Sequence, residues 1–254
     1  MNLAVNDLSL LFAGLLVVVA LSISYKEKLG FIKDIIISVC RAIIQLILVG
    51  YLLKYVFQVD NKFLTVAMAV IIVMNAALNA AKRSQQLQKQ NGFWVSLIAI
   101  ASSTGVTIGV LVLSGAIRFI PSQIIPISGM IASNSMVAIG LCYRNLDSLF
   151  QDQRQAVLEK LALGATIKQA SQSILRASIR TGMAPTIDSA KTVGIVSLPG
   201  MMSGLIFAGV DPVHAIKYQI MVTFMLLSAT SIGSVLATYL AYKSYYNERK
   251  QLII

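Results

Sequence analysis

Seven stretches of this chain are apolar for long enough to cross a bilayer, and that pattern restricts the fold more than any other feature. They cover roughly residues 8–24, 35–57, 63–81, 93–117, 124–143, 192–210 and 218–242. A helix needs about 20 residues to cross about 30 Å of hydrocarbon. Lipid offers no partner to an unpaired backbone group, so each stretch must satisfy its own N–H and C=O groups by coiling. The runs are continuous rather than alternating, which argues against a β-barrel. The expected fold is all-α: a polytopic membrane protein with seven transmembrane helices in one domain, residues 1–254.

Charge sets the expected orientation. The net charge of +11 would suggest nucleic acid in a soluble protein, but only 12% of these residues are charged and 57% are hydrophobic. A soluble domain carries about a quarter charged residues. No basic segment interleaved with aromatics is present, so a nucleic-acid partner is not expected. With the N-terminus outside, sixteen Lys and Arg residues fall on the inner side and four on the outer, with Arg41 inside the second stretch. Basic residues are retained on the cytoplasmic side, which gives N-out, C-in. The N-terminus lacks the basic region and cleavage site of a signal peptide, so the first stretch reads as a retained span. Cys40 and Cys142 both lie in apolar runs without CxxC or Cys/His spacing, and read as buried thiols.

The one long polar segment, residues 144–191, is expected in the cytoplasm. Residues 147–163 read as a helix with Leu149, Phe150, Val157, Leu158 and Leu161 apolar. Gly164 suits the position just past a helix end, where a left-handed backbone is needed. Thr166 followed by Gln169 forms a capping box that starts a second helix. That helix carries Ile167, Ala170, Ile174, Ala177 and Ile179, and is expected to end near Gly182. Pro185 then leads into the sixth span, with Asp188 as its N-cap.

Helix–glycine–helix in a cytoplasmic loop is the shape by which a permease can dock into a separate ATPase. Permeases of ATP-binding-cassette transporters carry a loose pattern there: a Glu, an Ala-rich turn, a Gly five positions after the Glu, and a downstream Pro. Glu159, Ala162, Gly164, Ala165 and Pro185 match it, with Leu161 and Thr166 completing the candidate coupling surface. An amphipathic hairpin lying on the membrane fits the same residues. No GxxxxGK[ST] is present to cradle nucleotide phosphates. No Asp or Glu lies within the seven stretches, and the single histidine, His214, falls in an outer turn. Proton-driven carriers usually hold such a group at membrane depth. An external ATPase is therefore the economical energy source, and the chain is not expected to be an enzyme. ATP and magnesium would bind the partner, and no cofactor this chain. An autonomous channel or carrier is the alternative.

Polar groups inside the spans are candidates for a translocation path. Arg41 and Gln45 share a face of the second span, and a buried arginine should face the bundle or water. Asn75 and Asn79 share a face of the third, and Asn134 lies in the fifth. Interhelical hydrogen bonding explains the asparagines equally well. In the sixth, Pro199 removes a backbone donor and Gly200 tolerates unusual dihedrals, so a kink or break is expected where transporters place solute sites. Met201 and Met202 offer thioether sulfur to a soft metal, or fill space. Asp211 and His214 are too few for a metal site and read as a turn. No metal ligand set is evident.

The segment Pro185-Thr-Ile-Asp-Ser-Ala-Lys-Thr-Val-Gly-Ile-Val-Ser-Leu-Pro-Gly-Met-Met-Ser-Gly204 continues through Ala208-Gly-Val-Asp-Pro212 and Ala215-Ile-Lys-Tyr-Gln219. With Pro126-Ile-Ser-Gly-Met-Ile-Ala-Ser-Asn-Ser135, it resembles the FetB (YbbM) family, which includes membrane subunits of plant aluminium-tolerance transporters. The resemblance covers nearly the whole chain and is strongest over residues 126–225. It implies a permease in the inner membrane of a bacterium, paired as a homodimer with two FetA-like ATP-binding subunits. It further implies export of iron and a role in metal homeostasis and oxidative-stress resistance, with a nucleotide sugar as the alternative cargo. It supplies no ligand set, and a hard ferric ion finds no buried carboxylate or histidine here.

Overall fold

The computed structural model describes residues 10, 12–84, 86, 87 and 92–253. The start of the first expected span and Lys89 lie outside these. The described residues form helices without extended strands, in two compact units: one runs to Asp60 and takes in Phe207–Gly209, and the other comprises the rest.

The first unit holds α1 (Leu15–Lys26) and α2 (Ile32–Val59). The 28-residue α2 exposes large apolar side chains on every side, among them Ile37, Leu46, Leu48 and Tyr51. A helix apolar all round belongs in lipid or a core, not in water.

The second unit packs α3 (Lys62–Ala81), α4 (Gly92–Leu113), α5 (Pro121–Asp152), α6 (Arg154–Ala162), α7 (Ile167–Thr192), α8 (Gly200–Phe207) and α9 (Pro212–Ala241). Its crossings are lined by small residues: Ala76, Ala77 and Ala80 on α3, Ser96 and Ala99 on α4, Ala132 and Ala138 on α5, Gly233 and Ala237 on α9. Between apolar helices in lipid, close packing and hydrogen bonds replace hydrophobic burial as the cohesive force, and small side chains allow that approach. Hydroxyls add the bonds. Ser103 Oγ lies 3.3 Å from Ser135 Oγ, which reaches the Ala229 carbonyl, joining α4, α5 and α9. Ser96 Oγ lies 3.1 Å from the Tyr143 hydroxyl.

Among the described residues, five helices are long and apolar enough to span: α2, α3, α4, α5 and α9. They correspond to the second, third, fourth, fifth and seventh expected stretches. The described part of the first is the 12-residue α1. The sixth is not one helix: α7 ends at Thr192, residues 193–199 turn through Gly194, and only the 8-residue α8 follows. Eight residues rise about 12 Å, well short of the hydrocarbon thickness.

Three boundaries differ from expectation. Helix α5 does not stop at Tyr143 but runs on to Asp152, because Leu146 and Phe150 continue its buried face in the same core as Ala132 and Ile139. The helix expected over 147–163 is thus the end of α5 followed by α6. Helix α7 passes through Gly182 and Pro185 unbroken, so Asp188 is not an N-cap; it sits inside the helix, 3.1 Å from Lys191 Nζ. Gly182 serves a contact instead. A Cβ there would collide with Cys142 Sγ and come within 2.7 Å of the Ala138 carbonyl on α5. Only glycine lets the two helices approach this closely.

The C-terminal tail extends that core. After α9 the chain makes a 3-10 turn, Tyr242–Tyr245, and folds back so that Tyr246 bridges Leu252. Tyr245 stacks on Phe150 at 4.4 Å and donates to Asp147 Oδ1 at 2.6 Å. Ser84 donates to the same oxygen, and the Tyr246 hydroxyl lies 2.6 Å from Ser171 Oγ on α7. The tail thereby fastens the ends of α3, α5 and α7 together.

Candidate functional site

Two features of the second unit bear on function, and one helix joins them. The first is the corner between α6 and α7. The Gly164 N–H donates to the Leu161 carbonyl and the Ala165 N–H to the Lys160 carbonyl, both at 3.0 Å, while Gly164 takes φ +90. This paired closure of a helix end requires the left-handed backbone that glycine adopts without strain. Thr166 Oγ1 then accepts from the Gln169 N–H at 3.3 Å, and Gln169 Oε1 accepts from the Thr166 N–H at 2.9 Å. Helix end, bend and helix start are thus all encoded within a few residues.

At this corner Val157 and Ala170 are buried, and Leu161 and Ala165 half-buried against the same core. Glu159, Ala162, Gly164 and Thr166 are exposed. Glu159 accepts from Gln155 at 3.3 Å on its own helix. Leu163 stands out from the tip with 88% of its surface exposed. It was not among the expected coupling residues, although an apolar residue directly before the bend is a readable signal.

The second feature is a cavity of about 340 Å³ beside the break after α7. Asn134, Pro199, Gly200 and Met201 line it, together with Pro185, Thr186, Ser189 and Ala190 from α7 and Gln219 and Thr223 from α9. Asn134 Nδ2 donates to the Met130 carbonyl of its own helix at 2.9 Å, and Thr223 Oγ1 donates to the Gln219 carbonyl at 2.9 Å. Gln219 Oε1 is buried and has no hydrogen-bond partner among the described residues. A smaller cavity of about 270 Å³ lies against Val193, Gly194 and Leu198; Met202 and Gln219 line it too.

Four of the nine path candidates therefore meet at the larger cavity, and Met202 lies beside it. Asn75 and Asn79 do not join them. Asn79 Nδ2 donates at 2.8 Å to both the carbonyl and Oδ1 of Asn75, on an exposed face of α3. Arg41 and Gln45 lie exposed on α2, in the first unit. Gln219 was not singled out, although it is the only amide side chain in the last apolar stretch.

Asp211 is the N-cap of α9, accepting from the Val213 and His214 N–H groups and pairing with His214 Nδ1 at 3.1 Å. Those hydrogen bonds from His214 hold its carboxyl below the usual range. This is the turn expected from Asp-Pro. No group of three His, Cys, Asp or Glu residues gathers among the described residues.

Comparison with known proteins adds the context. A model of the uncharacterised protein family UPF0014 matches residues 7–246. The chain is 59% identical over 250 residues to the "Probable iron export permease protein FetB" of Escherichia coli strain K12, covering 98% of this chain and 96% of that protein. It is 34% identical to "Protein ALUMINUM SENSITIVE 3" of Arabidopsis thaliana, over 94% of this chain and 88% of the relative. It is 33% identical to "UPF0014 membrane protein STAR2" of Oryza sativa subsp. japonica, over 94% and 84%. No solved structure matches it.

Proposed function

The chain belongs to the UPF0014 family as a multi-pass membrane permease, and on that premise we propose that it is the membrane subunit of an ATP-driven exporter whose cargo is iron. A separate ATP-binding subunit docks on the exposed corner at Glu159, Ala162, Leu163 and Gly164. Two permeases and two such subunits form the working complex in the inner membrane of a bacterium, N-terminus out and C-terminus in. The cargo follows from the relative that is 59% identical and bears iron export in its name. Such export serves metal homeostasis and resistance to oxidative stress.

One observation carries this reading: α7 is a single helix from the capped corner at Thr166 to the wall of the cavity. Its 26 residues span about 39 Å, so a push at the corner has a continuous route to the solute cavity. A chain acting alone needs no such exposed, sharply folded corner.

The test is co-purification and transport with Gly164→Trp. A bulky L-residue is strained at φ +90 and obstructs the docking surface. The expected result is loss of the ATP-binding subunit from the complex, with export falling to background. Retention of both would sink the coupling role.

A further inference from the structure

Where α3 ends against α5, two arginines come together without an anion. Arg83 lies two residues past the end of α3, and Arg144 directly follows the fifth apolar stretch, on α5. The half-buried Arg83 side chain lies across Gly140 of α5. A Cβ at Gly140 would overlap Arg83 Cδ and come within 2.9 Å of Nη1 and 3.1 Å of Nε. Gly140 and Arg144 are four residues apart on one helix, so they share the face that Arg83 crosses. Among the described lysines and arginines, Arg83 alone is not exposed.

A guanidinium withdrawn from water is normally met by a carboxylate. Here neither Arg83 nor Arg144 has an ion-pair partner among the described residues. The next carboxylate along α5, Asp147, accepts from Ser84 and Tyr245. Burial, and after it the positive charge of Arg144, holds Arg83 below the usual arginine range, although it stays charged at any working pH. Two guanidinium groups on one face, one of them half-buried, are an unfavourable pair until an anion joins them.

Height narrows the anion. Both residues stand where apolar runs end, the level at which a bilayer presents its phosphates. An arginine stem can lie on apolar surface while its head reaches that level, and its fork matches the oxygens of a phosphate. The notch at Gly140 gives the Arg83 stem its seat. We propose that Arg83 and Arg144 together bind the headgroup phosphate of one anionic phospholipid, which clamps the end of α3 to α5. Neither arginine lines the cavity beside the break, so the site does not depend on which solute is carried.

The test is native mass spectrometry of the full-length permease, stripped of lipid and titrated with phosphatidylglycerol or phosphatidylcholine. Wild type should retain one phosphatidylglycerol per chain in preference to phosphatidylcholine. Arg144→Gln, at an exposed position, should weaken that binding roughly fivefold, the effect of one basic group at a bilayer surface. Arg83→Gln should weaken it at least as much, and Arg83→Lys, which keeps the charge without the fork, should fall between. If Arg83→Gln lowers the melting temperature, Arg144→Gln alone decides. Lys243 is an exposed cation just past α9, at the same end of the unit, where Gln86 bonds the Ser244 carbonyl. Lys243→Gln should leave binding within about twofold of wild type; a loss equal to that of Arg144→Gln would mean diffuse attraction and overturn the site. Inorganic phosphate at the same concentration should not displace the lipid; full displacement would make the ligand a soluble anion and overturn the lipid assignment. Unchanged lipid binding in both glutamine variants would overturn the proposal, and loss of the ATP-binding subunit from them would assign the arginines to that partner instead.

Discussion

Tyr245 donates its phenolic proton to Asp147 Oδ1 across 2.6 Å, joining positions 98 residues apart. The bond ties the C-terminal tail to the end of α5, and Ser84 brings the end of α3 to the same oxygen. Hydrogen bonds to a charged acceptor contribute about 1.5–3 kcal/mol. Tyr245→Phe keeps the stack on Phe150 and removes only the donor. The purified protein should melt about 3–10 °C lower. An unchanged melting temperature would mean that packing alone holds the tail.

The capping box at Thr166 should be measurable locally. Thr166→Ala removes the acceptor for the Gln169 N–H and should cost about 1 kcal/mol. Hydrogen exchange of the Gln169 amide should quicken roughly fivefold, with the far turns of α7 unaffected. Thr166→Ser should exchange like wild type.

The crossing of α5 and α7 tolerates no side chain at one point. Gly182→Ala would drive a methyl into Cys142 Sγ and the Ala138 carbonyl. Overpacking of this kind costs about 1–3 kcal/mol. Cys142→Gly in the same chain relieves the sulfur contact and leaves the backbone one, so it should recover only part of the lost melting temperature. Full recovery would place the whole conflict at the thiol.

The corner was legible because its signals are local. Thr166, Gln169 and Gly164 act within one helical turn, and no distant residue is needed to interpret them. The long spans were legible because a bilayer demands length and hydrophobicity. What failed were features decided by neighbours remote in sequence. Gly182 looks like a helix end until Cys142 and Ala138 are placed beside it. Residues 147–152 look like the start of a separate cytoplasmic helix until Phe150 meets Tyr245 and Tyr246 and α5 runs through to Asp152. Asn75 and Asn79, which read equally as path lining or helix packing, bond to each other on an exposed face of α3.

Pro185 sits three residues beyond the tight contact at Gly182, and its missing N–H leaves the Thr181 carbonyl without a helical donor. The helix is therefore clamped to α5 at one point and softened immediately past it. Residues 185–193 form an arm about 12 Å long, and a swing of about 20° at its root would carry the tip about 4 Å. Pro185, Thr186, Ser189, Ala190 and Val193 all lie on that arm and on the cavity wall, so the swing would reshape the cavity directly. The moving part of the permease would then be a short joint, with α5 and the body of α7 travelling as its mount. Pro185→Ala restores the missing bond and should stiffen the joint, raising the melting temperature while slowing export; unchanged export would mean that the wall moves in some other way.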